Sequence, residues 1–533
     1  MKHRALLYLC TVSILLFASE ASSTAQTSAD ELFAEGKFQQ AASLYLTFLH
    51  SHSRDINIRI KLISAYLRID GDAWQQAIVQ GEEAVKIAPD NPDAHGLLSL
   101  ALMRGGEPDD AAKQAAKSLS LLPADYYGLI AQGRVFTWEE HSTKAVEVLN
   151  EAIKKYPARV TAYPYLFAAL YDLNSIPDKK KYETLVKAYY KLKPMGHPHH
   201  SILKVGRKTF FSKETEHERK LKEEDSLGDN SEEQLKKIDD GSLPYSSYTV
   251  PVDMNKERMN LLVTVNKAQL RLTLDTGAGD SVVLDQQVIS QLGLQSLGQT
   301  LIGGVGGDAL SKMYLIRSLQ VGNELRKNLI VGSMHDIPET DGLYGGANFT
   351  KSAVTIDFQE RTLTVARGKG AQAPLCLDGD HIMSVPFHLY HGYIFLPVRL
   401  AGDKKIVWGL LDTGAEPLGI LSLITARQLA KARSQDSYKQ MELPVPLGVG
   451  NTISTFTALL FRFPVDMTPA HTHTTPFLME MYPMLGASLL DNLLSRDFDF
   501  QISLLIGYPY LVNARRVTID YPHRLLTMEF TNQ

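Results

Sequence analysis

The pentapeptide Leu-Asp-Thr-Gly-Ala occurs twice in this chain of 533 residues, at Leu274–Ala278 and again at Leu411–Ala415. Each copy follows two short segments in which apolar and polar residues alternate, which is the pattern of a half-buried β-strand. These segments are NLLVTVNKAQLRLTL before the first copy and IFLPVRLAGDKKIVWGLL, which runs into the second. The shared context indicates a repeated structural unit rather than two unrelated turns.

Two further features recur in the same order after each pentapeptide. The first is an apolar pair followed by glycine, at Leu343–Gly345 and at Leu505–Gly507. The second is the string Val-Thr-Ile-Asp followed by Arg-x-Leu-Thr, within Ser352–Val365 and Arg515–Met528. A chance repeat of five residues would not explain why the flanking segments also match in the same order. We therefore infer that a whole β-domain has been duplicated.

Each half resembles a lobe of the retropepsin-type aspartic proteases. In that family an Asp-Thr-Gly-Ala turn precedes a flap hairpin and then an apolar-apolar-Gly segment that braces the catalytic loop. The resemblance covers about residues 248–530, and the duplication resembles the pepsin arrangement, with both lobes in one chain. It implies an all-β bilobed fold with lobe 1 at residues 248–370 and lobe 2 at residues 383–533. Met484-Leu485-Gly486 remains an alternative bracing segment in lobe 2.

The resemblance makes Asp275 and Asp412 the candidate catalytic pair. Two carboxyl groups held a hydrogen bond apart cannot both ionise cheaply, so they share one proton. One member then acts as a base towards water and the other as an acid towards the scissile carbonyl. An alanine, Ala278 or Ala415, follows each Asp-Thr-Gly and suggests a pH optimum for cleavage that is less acidic than that of pepsin-like enzymes.

The residues that follow each aspartate are expected to support the two loops. Gly277 and Gly414 allow a tight turn that brings backbone N–H groups near the carboxylates. Thr276 and Thr413, like the threonines of the family, are expected to form hydrogen bonds across the lobe interface.

A flap is expected between each aspartate and its bracing segment. In lobe 1 the stretch Leu301–Ile316 predicts a mobile hairpin. Its tip would contain four glycines: Gly303, Gly304, Gly306 and Gly307. The corresponding stretch of lobe 2, Pro446–Phe456, is a poorer match.

The first half of the chain shows a different period, of 34 residues. Alanines and prolines recur at this spacing: Ala77, Ala111 and Ala145, and Pro89, Pro123 and Pro157. Small residues let two helices approach closely, and proline ends the helix before it. Residues 28–196 therefore resemble tetratricopeptide repeats, an all-α solenoid whose concave face implies a protein partner.

The N-terminus is typical of a secretory signal peptide. Lys2 and Arg4 precede an apolar run that ends near Ala18, and Ser23 and Ala25 fit a cleavage site, so residues 1–25 are predicted to be removed. We expect an exported protein, periplasmic or extracellular, without stable membrane insertion after cleavage; an uncleaved anchor is the alternative. The only cysteine outside the signal is Cys376, which leaves no partner for an intramolecular disulfide.

Residues 197–247 form a charged stretch of mixed sign with few apolar residues, which predicts a solvated linker. The histidines near its start, and His471 and His473, lack Cys or carboxylate partners at ligand spacing, so we predict no metal site. We also expect no cofactor. A net charge of −4 gives no broad basic surface, and nucleic acid is not an expected partner.

Three hypotheses follow from these patterns. The leading one is an exported aspartic endopeptidase that acts on peptides or proteins and whose helical repeats recruit a partner or substrate. The second is a non-catalytic binding or assembly scaffold that retains a protease-like cleft. The third keeps catalysis but pairs lobes between two chains.

Overall fold

A computed structural model describes most of the chain. The described residues are 28–172, 184–185, 187–189, 191–192, 246–255, 258–278, 282–304, 307–335, 339–368, 381–400, 405–415, 420–431, 438–446, 453–461, 467–469, 485–487, 490–491 and 495–530. The predicted signal peptide, both cysteines, the loop histidines at 197, 199, 200, 471 and 473 and nearly all of the predicted linker lie outside these ranges. The described residues form two compact units, the first of which comprises those between 28 and 192 together with Phe498–Phe500.

The first unit is built from helices in antiparallel succession. Residues 28–34 are helical, and the following helices are α1 (Phe38–Ser51), α2 (Ile56–Tyr66), α3 (Ala73–Ile87), α4 (Pro92–Arg104), α5 (Pro108–Leu121), α6 (Tyr126–Trp138), α7 (Ser142–Lys155) and α8 (Ala162–Asp172). Each helix packs on the next, and α2, α4, α6 and α8 also pack in sequence as a second layer of contacts. We call this unit the helical array.

The local sequence explains where these helices begin and end. Three of them start at a side-chain cap, in which Asp55, Asn91 and Asp125 accept hydrogen bonds from backbone N–H groups of the first turn. The helices α3, α5 and α7 end one or two residues before the prolines of the 34-residue period. The repeated alanines are fully buried where successive helices meet. The predicted solenoid of helix pairs is therefore confirmed.

Replacing Ala111 with leucine should destabilise the array, because this side chain is 0% exposed and the added atoms have no free volume. We expect a loss of about 1–3 kcal/mol, the usual cost of overpacking a core. The thermal midpoint of the helical circular-dichroism signal measures it. Ala116→Leu is the matched control, since Ala116 is exposed on the same helix. Equal midpoints for the two variants would contradict the packing described above.

The second unit is all-β with short helices. Its first lobe contains β1 (Ser246–Met254), β2 (Met259–Val265), β3 (Ala268–Asp275), β4 (Val282–Asp285), α9 (Gln286–Gln291), β5 (Ser296–Gly304), β6 (Gly307–Val321), β7 (Glu324–Met334), β8 (Gly342–Gly345), a 3-10 turn (Gly346–Phe349), β9 (Ser352–Asp357) and β10 (Thr362–Arg367). β1 thus begins within the last two residues of the predicted linker.

The second lobe repeats this order. It contains β11 (His381–Pro386), β12 (His388–Tyr390), β13 (Tyr393–Leu400), β14 (Val407–Asp412), β15 (Ile420–Ser422), α10 (Leu423–Lys431), β16 (Tyr438–Pro446), β17 (Ile453–Phe461), β18 (Met467–Pro469), β19 (Leu485–Ala487), α11 (Ser495–Phe498), β20 (Leu504–Gly507), α12 (Tyr508–Leu511), β21 (Arg516–Asp520) and β22 (Leu525–Phe530). The prediction of an all-β bilobed fold is confirmed.

The strands that carry the two pentapeptides have equivalent neighbours. β3 pairs in parallel with β8, and β14 pairs in parallel with β20. Each of these partners also pairs with the strand that follows the pentapeptide, β4 or β15, in antiparallel fashion. The alternative bracing glycine, Gly486, lies in β19 between β15 and β17. The bracing segment of lobe 2 is therefore Leu505–Gly507.

The two copies of Val-Thr-Ile-Asp lie side by side. β9 and β21 pair antiparallel with Thr355 opposite Thr518, and the flanking residues of each copy face those of the other. The two threonine hydroxyls are 3.0 Å apart. These strands form the centre of the order β11-β22-β21-β9-β10-β1, so the duplicated lobes join through a continuous sheet with an approximate twofold axis at its middle.

Among the described residues, no helix combines the length and the apolar character that crossing a membrane requires.

Candidate active site

Both motif aspartates lie at the last position of a buried strand. Asp275 ends β3 and Asp412 ends β14, and in both strands the preceding leucine is almost completely buried. Each aspartate is in register with the glycine of its bracing strand, Gly345 or Gly507. The chain then turns at Thr-Gly, and both aspartate residues are partly exposed. The strand pairing thus fixes the backbone of each aspartate at the end of its strand.

The two threonines lock the loops to each other. The backbone N–H of Thr276 donates to Oγ1 of Thr413 at 3.0 Å, and the N–H of Thr413 donates to Oγ1 of Thr276 at 3.0 Å. Each hydroxyl in turn donates to the carbonyl before the opposite aspartate, Leu411 or Leu274, at 2.9 Å. The threonines are at most 3% exposed. Four buried hydrogen bonds related by twofold symmetry therefore set the separation of the loops.

The glycines allow each loop to approach the opposite carboxylate. A Cβ atom placed on Gly277 would lie 2.3 Å from Cγ of Asp412, and one on Gly414 would lie 2.4 Å from Cγ of Asp275. No side chain fits at these distances. The two glycines thus allow the predicted tight turn and also make room for the partner aspartate.

Each carboxylate also accepts a hydrogen bond within its own loop. The N–H of Gly277 donates to Oδ1 of Asp275 at 2.8 Å, and the N–H of Gly414 donates to Oδ1 of Asp412 at 2.9 Å. Such donors stabilise the ionised form of a carboxyl group. They offset part of the cost of holding the two groups away from bulk water.

The electrostatics of the pair are asymmetric. Burial raises the pKa of Asp275 well above its usual range, and the negative charge of Asp412 and the hydrogen bond between the two carboxyl groups raise it further. Burial also raises the pKa of Asp412, but there the hydrogen bond from Asp275 and the backbone N–H groups act in the opposite direction. Both shifts favour a protonated carboxyl group, so the pair shares a proton, and the two ionisation steps belong to the pair as a whole.

A buried polar network braces the first loop from behind. Asn348 donates from Nδ2 to the carbonyl of Gly345 at 2.9 Å. Its own amide oxygen accepts from Arg326 at 2.6 Å, and Glu324 links Arg326 to Arg367 through ion pairs of 2.6 and 2.7 Å. Sequence analysis missed these residues because they lie far apart along the chain and carry no motif.

In lobe 2 a single buried carboxylate has a comparable bracing role. Asp491 accepts hydrogen bonds from the N–H groups of Leu423 and Ile424 at 2.7 and 3.2 Å, where α10 begins. The side chain of Gln501 donates to the other oxygen of Asp491 at 3.0 Å. Asp491 thereby ties the segment before β20 to the helix after β15. No sequence signal distinguished it from a loop aspartate.

The predicted flap region of lobe 1 is a hairpin. β5 and β6 pair antiparallel, with Gly303 opposite Asp308 and Gly304 opposite Gly307 at the end of the ladder. Gly306 lies outside the described residues. In lobe 2, β16 and β17 form a second hairpin whose last pair is Pro446 and Ile453. Both lobes thus place a hairpin between the aspartate and the bracing strand, as the sequence predicted; its action as a flap stays a prediction.

Within the described ranges, no group of three or more His, Cys, Asp or Glu side chains is arranged to hold a metal ion.

Replacing Thr413 with valine should destabilise the second unit, because it leaves the buried N–H of Thr276 and the carbonyl of Leu274 without their partner. An expected loss of about 2–4 kcal/mol follows from two unsatisfied buried groups. Thr413→Ser keeps the hydroxyl and is the control. Denaturant unfolding followed by the β-sheet circular-dichroism signal measures both. A valine variant as stable as the serine variant would disprove the interlock.

The Asp275→Asn variant should melt at a higher temperature than the parent chain at neutral pH. The raised pKa of Asp275 means that the unfolded chain ionises at lower pH than the folded chain, so stability is lost as pH rises above the ordinary aspartate range. Asparagine removes this penalty and still accepts from Gly277. Near pH 3, where both states are protonated, the advantage should vanish. The exposed change Asp253→Asn is the control; a pH-independent difference would contradict the shared proton.

Part of the first lobe matches the sequence model of a known family. Residues 261–346 match the sequence model of a family described as aspartyl protease. The match runs from β2 through the Asp275 loop to the residue after Gly345, so it covers lobe 1 alone. No significant match was found among curated proteins.

Several solved structures resemble part of the chain. The crystal structure of MamA is 20% identical, covers 33% of this chain and 91% of its own, and gives a TM-score of 0.23. YrrB, described as a TPR protein with an unusual peptide-binding site, is 14% identical, with 34% and 88% covered and a TM-score of 0.22. A tetratricopeptide repeat protein from Parabacteroides merdae is 14% identical, with 40% and 82% covered and a TM-score of 0.28. TM-scores this low carry no inference about this chain, and the assignment of the array rests on its own helix pairs.

Proposed function

We propose that this chain, which combines a tetratricopeptide-like array with an aspartyl protease domain, is an exported endopeptidase that hydrolyses peptide bonds through Asp275 and Asp412. The observation that supports this proposal best is the interlocked pair of loops, which brings two carboxyl groups of one chain into hydrogen-bond contact. A purely structural turn needs neither the second aspartate nor the space that Gly277 and Gly414 leave for it.

In the proposed reaction Asp412 is the base and Asp275 the acid. Asp412 takes a proton from a water molecule, whose oxygen attacks the carbonyl carbon of the peptide, while Asp275 gives its proton to the carbonyl oxygen. The resulting gem-diol collapses as one hydroxyl proton returns to a carboxylate, the C–N bond breaks and the amine leaves with a proton. We assign the proton to Asp275 because burial, the negative charge of Asp412 and the hydrogen bond between the two carboxyl groups all raise its pKa, whereas that hydrogen bond acts to lower the pKa of Asp412.

The same assignment of base and acid predicts the pH dependence of cleavage. Activity should rise as Asp412 ionises and fall as pH increases through the pKa of Asp275, because the acid is then lost. Both pKa values are raised, so both limbs of the profile should lie above the ordinary aspartate pKa of 3.8. This expectation agrees with the less acidic optimum suggested by the alanine that follows each Asp-Thr-Gly.

The helical array is proposed to recruit a protein partner or substrate, since an array of helix pairs offers an extended concave surface for peptides. Export to the periplasm or the exterior is proposed from the N-terminal sequence alone. Neither function requires a cofactor.

Cleavage of a mixed peptide library across the range from pH 3 to pH 8 tests the proposal. The parent chain should cut within peptides rather than at their ends, and Asp275→Asn and Asp412→Asn should each lower the rate by about 10²–10⁴-fold or more, the contribution of a general acid or base. Asp253→Asn, an exposed aspartate, is the control and should keep the parent rate.

The two single variants also separate the alternatives. Mixing them should restore no activity, because each chain carries only one intact aspartate of its own dyad; recovery on mixing would instead favour lobes paired between chains. No cleavage by the parent chain at any pH would contradict the protease and favour a binding scaffold.

A further inference from the structure

The helical array contains three residues from the far end of the sequence. Phe498, Asp499 and Phe500 belong to the first unit, although the residues on both sides of them belong to the second. All three are buried, with exposures of 7%, 2% and 0%. We call these residues the Asp499 turn, because Asp499 has a left-handed φ of 48° that reverses the chain.

The carboxylate of Asp499 is held by three side chains of the array. Nε of Arg104 lies 3.2 Å from Oδ1, Nη1 of Arg134 lies 2.9 Å from Oδ2, and the hydroxyl of Tyr165 donates to Oδ2 at 2.9 Å. Burial and the charge of Asp499 raise the pKa of Tyr165, so the phenol remains a donor. Both arginine side chains are at most 5% exposed. Buried arginines are costly without an anionic partner, and Asp499 is that partner.

The array also contacts the backbone and the neighbouring ring of the turn. Nη2 of Arg134 donates to the carbonyl of Asp499 at 2.6 Å, so one guanidinium binds both the side chain and the main chain. The ring of Phe500 stacks on the indole of Trp138, with centroids 4.5 Å apart and planes 16° apart. These contacts recognise a peptide with an aspartate followed by an aromatic residue, and not only a negative charge.

The repeat architecture accounts for this site. Arg104 and Trp138 are the last residues of α4 and α6, and they occupy equivalent positions in consecutive repeats. Arg134 lies one turn earlier in α6, and Tyr165 lies in α8. Consecutive members of the layer α4, α6 and α8 thus supply the cation, the ring and the phenol. Side chains at equivalent positions of consecutive repeats are how a solenoid binds an extended ligand.

The chain that leaves the turn leads directly to the second catalytic loop. The N–H of Ile502 donates to the hydroxyl of Ser495 at 3.0 Å, and Gln501 donates to Asp491. β20 begins at Leu504 and places Gly507 in register with Asp412. Only three residues therefore separate Phe500 from the strand that braces the catalytic aspartate of lobe 2.

We propose that Arg104, Arg134, Tyr165 and Trp138 form a site for an aspartate-aromatic peptide whose occupant is this chain's own Asp499 turn, and that its occupation keeps β20 ordered beneath Asp412. The regulatory part rests on the proposed function. The array then controls the protease in cis: a foreign peptide with the same two groups would compete for the site and, by releasing the turn, lower cleavage.

The test is hydrogen exchange by mass spectrometry on the full chain, comparing the parent with Asp499→Asn. Asparagine keeps the shape of the turn and removes the charge that both arginines require. We expect exchange of the amides in Leu504–Gly507 to become at least fivefold faster, together with a change in tryptophan fluorescence as Trp138 loses Phe500. Asp110→Asn, which removes an exposed aspartate paired with Lys113, is the matched control and should change neither.

A second variant, Trp138→Phe, tests the proposal if the Asp499→Asn chain does not fold. Trp138→Phe keeps an aromatic surface and both arginine contacts, and it should speed exchange at Leu504–Gly507 by a smaller factor. Parent-like exchange of this strand in a folded Asp499→Asn chain, or in Trp138→Phe where only that variant folds, would overturn the proposal. Peptide cleavage, measured in parallel, should fall as exchange of Leu504–Gly507 becomes faster. If the parent does not cleave, the proposed protease fails, whereas the exchange result still decides whether the turn orders β20.

Discussion

The active-site structure depends on overcoming the electrostatic repulsion between the carboxyl groups of Asp275 and Asp412. Two carboxyl groups in hydrogen-bond contact repel each other whenever both are ionised, and partial burial makes each charge more costly. The interlocked threonines hold the loops together against this repulsion, and the loop N–H groups lower its cost. A proton shared by the pair relieves the remaining repulsion. The feature that costs the fold stability is thus the one to which we assign the proposed acid and base.

Duplication within one chain gives this arrangement its geometry. Each lobe contributes one strand, one turn and one brace, and the twofold pairing of Thr355 with Thr518 joins the lobes through continuous strands. The symmetry is not complete, however. Lobe 1 braces its loop with Asn348 and two arginines, whereas in lobe 2 Asp491 binds the backbone where α10 begins. Burial raises the pKa of both aspartates, whereas the hydrogen bond between the two carboxyl groups raises that of Asp275 and acts to lower that of Asp412.

The sequence predicted those parts of the fold that repeat. The period of 34 residues and the duplicated pentapeptide are both visible in the sequence. The period predicted the helix pairs, and the pentapeptide predicted the two strand–turn units. The pattern could not choose between β19 and β20 as the brace of lobe 2, because both contain an apolar residue before glycine and only pairing with β14 separates them.

Contacts between distant residues were not predictable in the same way. Asn348 and Asp491 act through single hydrogen bonds to backbone groups, and polar residues in loops are too common for such a role to show in composition. Asp499 lies in a stretch that reads as an ordinary turn before a strand. Its partners are more than three hundred residues away along the chain: Arg134 is 365 residues from Asp499, and Tyr165 is 334 residues from it. No periodic signal connects them.

The central claim is that one proton is shared at neutral pH by two aspartates of the same chain. Difference infrared spectroscopy of the carboxyl C=O stretch, comparing the parent chain with Asp275→Asn, tests it most directly. The account predicts that the parent shows the absorption of one protonated carboxyl group at neutral pH and that the variant lacks it; other buried carboxyl groups, such as Asp491, cancel in the difference. Identical spectra, with both aspartates ionised in the parent, would contradict the shared proton and the acid–base roles drawn from it.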